Sequence, residues 1–245
     1  MPDLPTQSEQ TINKYWALVP AAGIGKRLGS KIPKQYLKLH GQEVLAWTLQ
    51  TLAAADFIEK IVLVLHPDDN YFAGHLAQKF PDVLVVPGGE ERQDSVANGL
   101  AFLKGLAKND DWVLVHDAAR PCLLLEDLTK LVNHLKEDAV GGILASQVKD
   151  TLKHSDESCK VLDTLKRNEY WLAATPQMFR FSLLCEALNS AKEAGFIATD
   201  EAAAIEAMGL PVTIVEGRSD NLKITSQEDL ALAEFLLQKL GKIHA

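Results

Sequence analysis

The sequence predicts an α/β fold, a mainly parallel sheet with helices on both faces. Three observations carry that reading. Short apolar runs with the composition of buried strands recur at residues 15–19, 60–66, 82–86, 112–115 and 140–145. Between them lie stretches with apolar residues at helical spacing, which implies right-handed β–α–β crossovers and parallel strands. A glycine turn follows the first run directly, and sheets of this kind hold ligands beyond the carboxyl ends of their strands.

The elements follow in order. Residues 43–57, with Val44, Trp47, Leu49 and Leu52 on one side, read as the first helix. The strand at 60–66 closes on Pro67-Asp68-Asp69, whose aspartates suit the cap of a helix over 70–79. The strand at 82–86 ends at Pro87-Gly88-Gly89, and a helix over 92–108 follows, with Glu90 and Glu91 at its positive end. The strand at 112–115 delivers His116-Asp117-Ala118-Ala119-Arg120-Pro121, after which 126–137 reads as helix and 140–145 as the fifth strand. Helices are expected near 181–194, 199–208 and 227–240, with a last strand at 212–215 before Asn221-Leu222-Lys223-Ile224-Thr225. The loops after the first, third and fourth strands share one sheet edge and can converge on one pocket.

The alternation breaks between Gln147 and Trp171. Val148-Lys149-Asp150-Thr151-Leu152-Lys153 is echoed by Val161-Leu162-Asp163-Thr164-Leu165-Lys166 across a polar stretch. That pattern predicts a projecting β-hairpin arm at about 147–170, although a decorated surface loop fits the pattern equally well.

Composition bounds the function. At 245 residues, 47% of them hydrophobic, the chain fits one large domain, 15–245, behind a polar extension at 1–14 that lacks the apolar centre of a secretory signal. A net charge of −8 argues against a general nucleic-acid binder. No apolar run approaches the ~18 residues of a membrane span. Cys122, Cys159 and Cys185 have no close pair spacing, which suits a reducing, cytoplasmic setting without a zinc site. Cys122 reads as a small packing residue and His116 as a core histidine.

Against the acidic background, the turn Pro20-Ala21-Ala22-Gly23-Ile24-Gly25-Lys26-Arg27-Leu28-Gly29 stands out, with Pro33-Lys34-Gln35-Tyr36 close behind. Its glycines can expose backbone N–H groups to phosphate, and Lys26, Arg27 and Lys34 bring mobile positive charge. Leu28 stands where a dinucleotide fingerprint needs its third glycine, and no Gly-Lys-Ser/Thr follows at Walker spacing, so neither familiar phosphate loop is present.

This turn, with Pro33–Tyr36, resembles the signature loop of the 2-C-methyl-D-erythritol 4-phosphate cytidylyltransferases. Further motifs recur in the same order: Gly88-Gly89-x-x-Arg92-x-x-Ser95, 115–121, Asp150-Thr151, Arg167-Asn168, Ala174-Thr175-Pro176-Gln177, Thr199-Asp200-Glu201 and Asn221-Leu222-Lys223. Glu90 departs from the aspartate common at its place. The related ribitol 5-phosphate cytidylyltransferases tend to read Ala-Gly-Gly at the turn and Asp-Ser-Val-Arg-Pro at the fourth strand. Ala21-Ala22-Gly23 and Asp117-Ala118-Ala119-Arg120-Pro121 favour the methylerythritol group. A non-catalytic nucleotide-binding domain has no need to gather Arg27, Lys34 and Lys223.

The resemblance implies a Rossmann-like sheet of the nucleotide-diphospho-sugar transferase type. It implies attack by the phosphate of methylerythritol 4-phosphate on the α-phosphorus of CTP, releasing pyrophosphate. It gives the triphosphate to the backbone of Ala21, Ala22, Gly23 and Gly25, and the transition state to Arg27, Lys34 and Lys223. Cytosine falls to Pro20, Ala21, Gly89, Glu90 and Ser95, and ribose to Ala118. The second substrate falls to Asp117, Arg167, Thr175, Thr199 and Lys223. Mg²⁺ or another divalent cation is expected mostly on phosphate oxygens, with Asp117 as its protein contact. The arm is expected to make a homodimer in which Thr151 and Arg120 serve the opposite subunit's pocket.

Overall fold

The computed structural model describes residues 13–23 and 32–243. Gly25, Lys26 and Arg27, with the first twelve residues of the extension, lie outside the described residues. The sheet contains β1 (Tyr15–Ala21), β4 (Ile58–Leu65), β5 (Leu84–Pro87), β6 (Trp112–Val115), β7 (Gly141–Gln147), β10 (Trp171–Arg180) and β11 (Thr213–Glu216). Two short ribbons complete the strands, β2 (Lys38–Leu39) with β3 (Gln42–Glu43), and β8 (Lys153–Ser155) with β9 (Val161–Thr164). The helices are α1 (Val44–Ala53), α2 (Arg92–Leu103), α3 (Leu125–Leu135), α4 (Phe181–Glu193), α5 (Glu201–Ala207) and α6 (Gln227–Lys239).

The seven strands run in the order β11-β7-β10-β6-β1-β4-β5. Every neighbouring pair is parallel except those made by β10, which is antiparallel to both β6 and β7. Strand alternation sorts β1 between the two faces. Ala17, Val19 and Ala21 join the layer that holds Leu45, Leu49, Leu128 and Leu131, whereas Trp16 and Leu18 join the layer of Val96, Leu100, Leu184 and Ile205. Helices therefore cover both faces, as a parallel sheet requires. A third cluster seats α6, where Ala233 and Leu237 meet Val44, Cys122 and Ile224.

The connection order places the site. From β1 the chain winds outward through β4 to β5, then returns to lay β6 on the other side of β1. The reversal opens a crevice at the carboxyl ends of β1 and β6, where a ligand can enter between diverging loops.

The structure corrects several expectations. The helix expected over 70–79 is one wide π-type turn, Phe72–Leu76, with Asp69 Oδ1 accepting from the N–H groups of Tyr71 and Phe72 at 3.1 Å each. The helix expected over 92–108 stops at Leu103. Ten residues of strand, β10, were not anticipated, because Pro176 lies inside them and prolines demote a central strand. The sheet accommodates Pro176 with a register shift between Ala173 and Gln177 on the β7 side.

The echoed segments do not pair as whole units, since β8 begins at the last residue of the first copy. The arm is rooted in the central sheet, where Trp171 and Leu172 pair with Gln147 and Ser146.

Candidate active site

The crevice is a cleft of about 310 Å³. Its lining joins the end of β1 and the start of its loop (Pro20, Ala21, Ala22, Gly23), the loop after β5 (Gly89, Glu90, Glu91) with the start of α2 (Arg92, Ser95), and the loop after β6 (Asp117, Ala118, Ala119). Lys34, Gln35 and Lys223 complete it. The three loops singled out from the sequence thus converge.

The two upper loops touch so closely that only glycine fits between them. A Cβ on Gly88 would lie 2.5 Å from the Ala22 side chain and 2.9 Å from Ser95 Oγ. One on Gly89 would lie 2.3 Å from Asp94 Cβ. Ser95 Oγ accepts the Gly89 N–H at 3.2 Å, which fixes the backbone of that loop against α2. Lys34 opens a short 3₁₀ turn, Lys34–Tyr36, clamped on both sides. Gln35, almost wholly buried, donates through Nε2 to the Ala21 carbonyl at 2.8 Å, and the Tyr36 hydroxyl donates to Asp69 Oδ2 at 2.8 Å. Lys34 Nζ donates to the Ile224 carbonyl at 3.1 Å, next to Lys223.

The floor is a charge cluster around Asp117, which is 6% exposed. Its carboxylate meets Lys223 Nζ at 2.9 Å, Arg92 Nε at 3.2 Å and Arg120 Nε at 3.3 Å. Burial alone would push this carboxyl up, but Arg92, Lys223 and Arg120 together hold it well below the usual carboxylate range. Arg92 continues to Glu201, donating from both terminal nitrogens at 2.6 and 3.0 Å.

Behind Asp117, Thr175 Oγ1 accepts the Asp117 N–H at 3.0 Å and lies 3.0 Å from His116 Nδ1. His116 Nε2 lies 3.3 Å from the Arg120 carbonyl, which can only accept, so the proton belongs on Nε2 and Nδ1 accepts from the threonine. Complete burial pushes His116 down to about 4, as befits a core residue. Its unfolded value is about 6.5, so the unfolded chain takes up the proton first as pH falls. Relative to a non-titrating His116→Gln variant, the wild type should lose about 3 kcal/mol of stability between pH 6.5 and pH 4. Urea midpoints across that window check this, and parallel curves for the two proteins would refute it.

Of the residues expected at the site, Pro20, Ala21, Ala22, Gly23, Lys34, Gly89, Glu90, Ser95, Asp117, Ala118 and Lys223 line the cleft. Gly25 and Arg27 lie outside the described residues. Thr175 sits beneath Asp117 with its hydroxyl engaged, and Thr199 is exposed just ahead of α5, outside the lining.

Asp117 and Arg120 are already paired with each other. With three cations already on its carboxylate, Asp117 does not fit a protein-held Mg²⁺, because the ion would add two positive charges to three. Among the described residues no group of three or more His, Cys, Asp or Glu side chains could hold a metal. Arg120 was given to the opposite subunit, yet its guanidinium is engaged in its own chain, on Asp117 and, at 2.7 Å, on the Asn221 carbonyl. Thr151 and Arg167 are exposed at the base of the arm, outside the cleft lining, and Arg167 donates to the Lys149 carbonyl at 2.6 Å.

Sequence reasoning passed over Arg92 and Glu201 as site residues. A signal existed for Glu201. It heads Glu201-Ala202-Ala203-Ala204-Ile205, and positions three and four residues on, Ala204 and Ile205, share its face and are buried. A carboxylate on a buried face needs a cationic partner.

The sequence profile of the 2-C-methyl-D-erythritol 4-phosphate cytidylyltransferase family matches residues 15–239, nearly the whole chain. The chain belongs to that family. It is 48% identical over 229 residues to the 2-C-methyl-D-erythritol 4-phosphate cytidylyltransferase of Hahella chejuensis, covering 93% of this chain and 95% of that one. Its fold matches a crystal structure of 4-diphosphocytidyl-2C-methyl-D-erythritol synthase with a TM-score of 0.80 and 38% identity, over 93% of this chain and all 100% of the other. The Francisella tularensis 2-C-methyl-D-erythritol 4-phosphate cytidylyltransferase gives a TM-score of 0.78 at 35% identity, over 92% and 100%. The shared length spans every loop of the cleft, so membership in the cytidylyltransferase family covers the site as well as the sheet.

Proposed function

We infer that this chain joins CTP and 2-C-methyl-D-erythritol 4-phosphate to give 4-diphosphocytidyl-2-C-methyl-D-erythritol and pyrophosphate, a step towards isoprenoid precursors. The observation that carries the reading is the family match across residues 15–239, which spans every loop of the cleft. A phosphate oxygen of the polyol forms a bond to the α-phosphorus as the bond from that phosphorus to the bridging oxygen breaks. Pyrophosphate leaves with the electron pair.

The nucleophile is a phosphate monoester, largely ionised at neutral pH, so no general base is required. The difficulty is bringing two polyanions together and stabilising charge that grows on the α-phosphoryl oxygens. Preorganised cations answer that need. Lys34 faces the nucleotide's phosphates, Lys223 and Arg120 meet the polyol phosphate, and Asp117 faces the polyol's hydroxyls. Magnesium or another divalent ion would be held by the nucleotide rather than by these side chains, and would supply further positive charge to the transferring group. Pyrophosphate release measured with CTP against methylerythritol 4-phosphate and ribitol 5-phosphate tests the reading. Turnover with the ribitol substrate alone would overturn it.

The base pocket reads cytosine through backbone groups near Ala21 and Gly89, held rigid by the close packing of the two loops. Cytosine offers an exocyclic amine donor where uracil offers an acceptor. Each mismatched buried group costs roughly 1–3 kcal/mol, so CTP should exceed UTP in kcat/KM by about tenfold or more. Competition between the two nucleotides checks this, and equal values would remove the pocket.

We further propose a homodimer built on the arm, in the cytoplasm. All seven residues of β8 and β9 are exposed, Val161 and Leu162 each by 59%, and an isolated two-stranded ribbon is marginal in water. A second copy would cover that surface. Thr151 and Arg167, at the arm's base and outside the lining of their own cleft, are then the residues available to the partner's site. No helix among the described residues is long and apolar enough to cross a membrane, and the cysteines are free, which suits a reducing compartment.

A further inference from the structure

Among the described residues, the pair Arg92–Glu201 has no role in the reaction as drawn, yet it sets one wholly buried carboxylate beside the cleft. Glu201 is 1% exposed. Its two oxygens accept from Arg92 at 2.6 and 3.0 Å, a parallel fork that fixes the plane of the guanidinium. The remaining donor of that plane, Nε, then points at Asp117 Oδ1, 3.2 Å away. With Oδ1 held, Oδ2 is presented to Lys223 at 2.9 Å and Arg120 at 3.3 Å. One rigid group therefore sets the orientation of the carboxylate that organises the floor.

The placement of the two partners matters. Arg92 is the first residue of α2, directly behind the loop that carries Gly89 and Glu90. Glu201 is the first residue of α5 and lies outside the cleft lining. Stability alone is a weak reason to bury such a pair, since well-packed apolar residues of similar volume often serve as well or better. Lysine could not replace the arginine either, because a point charge cannot hold two carboxylates in a fixed plane.

We propose that Glu201 is a positioning residue. Acting through the fork of Arg92, it aims Asp117, and with it Lys223 and Arg120, at the second substrate, while leaving nucleotide binding unaffected. This rests on the cytidylyl-transfer reading above.

The test compares wild type, Glu201→Gln and Arg92→Lys. Glu201→Gln keeps the shape but turns one acceptor into a donor, and Arg92→Lys keeps the charge but loses the plane. Both should lower kcat/KM for methylerythritol 4-phosphate by about tenfold to a hundredfold, while in Glu201→Gln, a change outside the cleft lining, the Kd for CTP moves by less than about threefold. A merely structural pair would not separate the two substrates. Full efficiency in either folded variant, equal losses for both substrates, or failure of both variants to fold overturns the proposal. A wild-type protein that releases no pyrophosphate from this substrate pair would instead overturn the reaction itself.

Discussion

Lys34→Ala should lower kcat by about 10²–10³ while shifting the Kd for CTP by less than about tenfold. The asymmetry follows from where the charge is held. Its ammonium lies 3.1 Å from the Ile224 carbonyl, on a turn that Gln35 ties to Ala21 and Tyr36 ties to Asp69. A lysine fixed in this way spends little energy reorganising when negative charge peaks on the α-phosphoryl group, so its contribution is largest at the transition state. In ground-state binding it is one cation among several, and its loss is shared.

Lys34→Gln is a useful companion, since it keeps the length and a donor while removing the charge. It should fall with alanine rather than recover. Single-turnover rates at saturating CTP, with CTP binding measured separately, distinguish a rate defect from a binding defect. Unchanged turnover in a folded Lys34→Ala protein would remove this residue from the mechanism.

Much of the scaffold was legible because its signals are local. Each parallel strand is a short apolar run closed by a turn, and α3 carries one apolar stripe, Leu128, Leu131, Val132 and Leu135, so periodicity places them. The convergence of three loops on one edge then follows from the handedness of the crossovers.

Non-local arrangements were harder to see. Strand β10 is held between β6 and β7 by partners far away in sequence, and its proline speaks against a strand when read alone. The helix expected over 70–79 carries apolar positions at Phe72 and Leu76, but only the turn Phe72–Leu76 forms as a helical element. Glu201 and Arg92 are 109 residues apart, and Arg120 meets Asn221 across 101. Residue type can nominate such groups for a site, but only the tertiary fold shows which of them meet. Arg120 likewise meets Asn221 only through the tertiary fold, although Asp117 stands three residues away on the same loop.

The engagement of Arg120 within its own chain sharpens a subunit-mixing experiment. In the proposed dimer each site joins one subunit's cleft, with its Lys34 and Arg120, to the other's arm, with its Thr151 and Arg167. Arg167→Ala removes a charged partner for the polyol phosphate and should cost about tenfold to a hundredfold in kcat/KM on its own. Lys34→Ala is crippled for the separate reason given above. In a heterodimer of these two variants, one cleft has an intact Lys34 and receives an intact Arg167, while the other lacks both. After random exchange at equal concentrations half the dimers are mixed, so about a quarter of all sites are whole, and activity should climb to about a quarter of wild type. Arg120→Ala mixed with Lys34→Ala gives the opposite outcome, because both losses fall in the cleft of the subunit that carries them. Every cleft then lacks one or the other, and the mixture should stay as inactive as its components. Recovery in the Arg120 mixture and none in the Arg167 mixture would assign the two arginines the other way round. A chain that stays monomeric at assay concentration would show neither recovery, and each arm would then serve no cleft but its own.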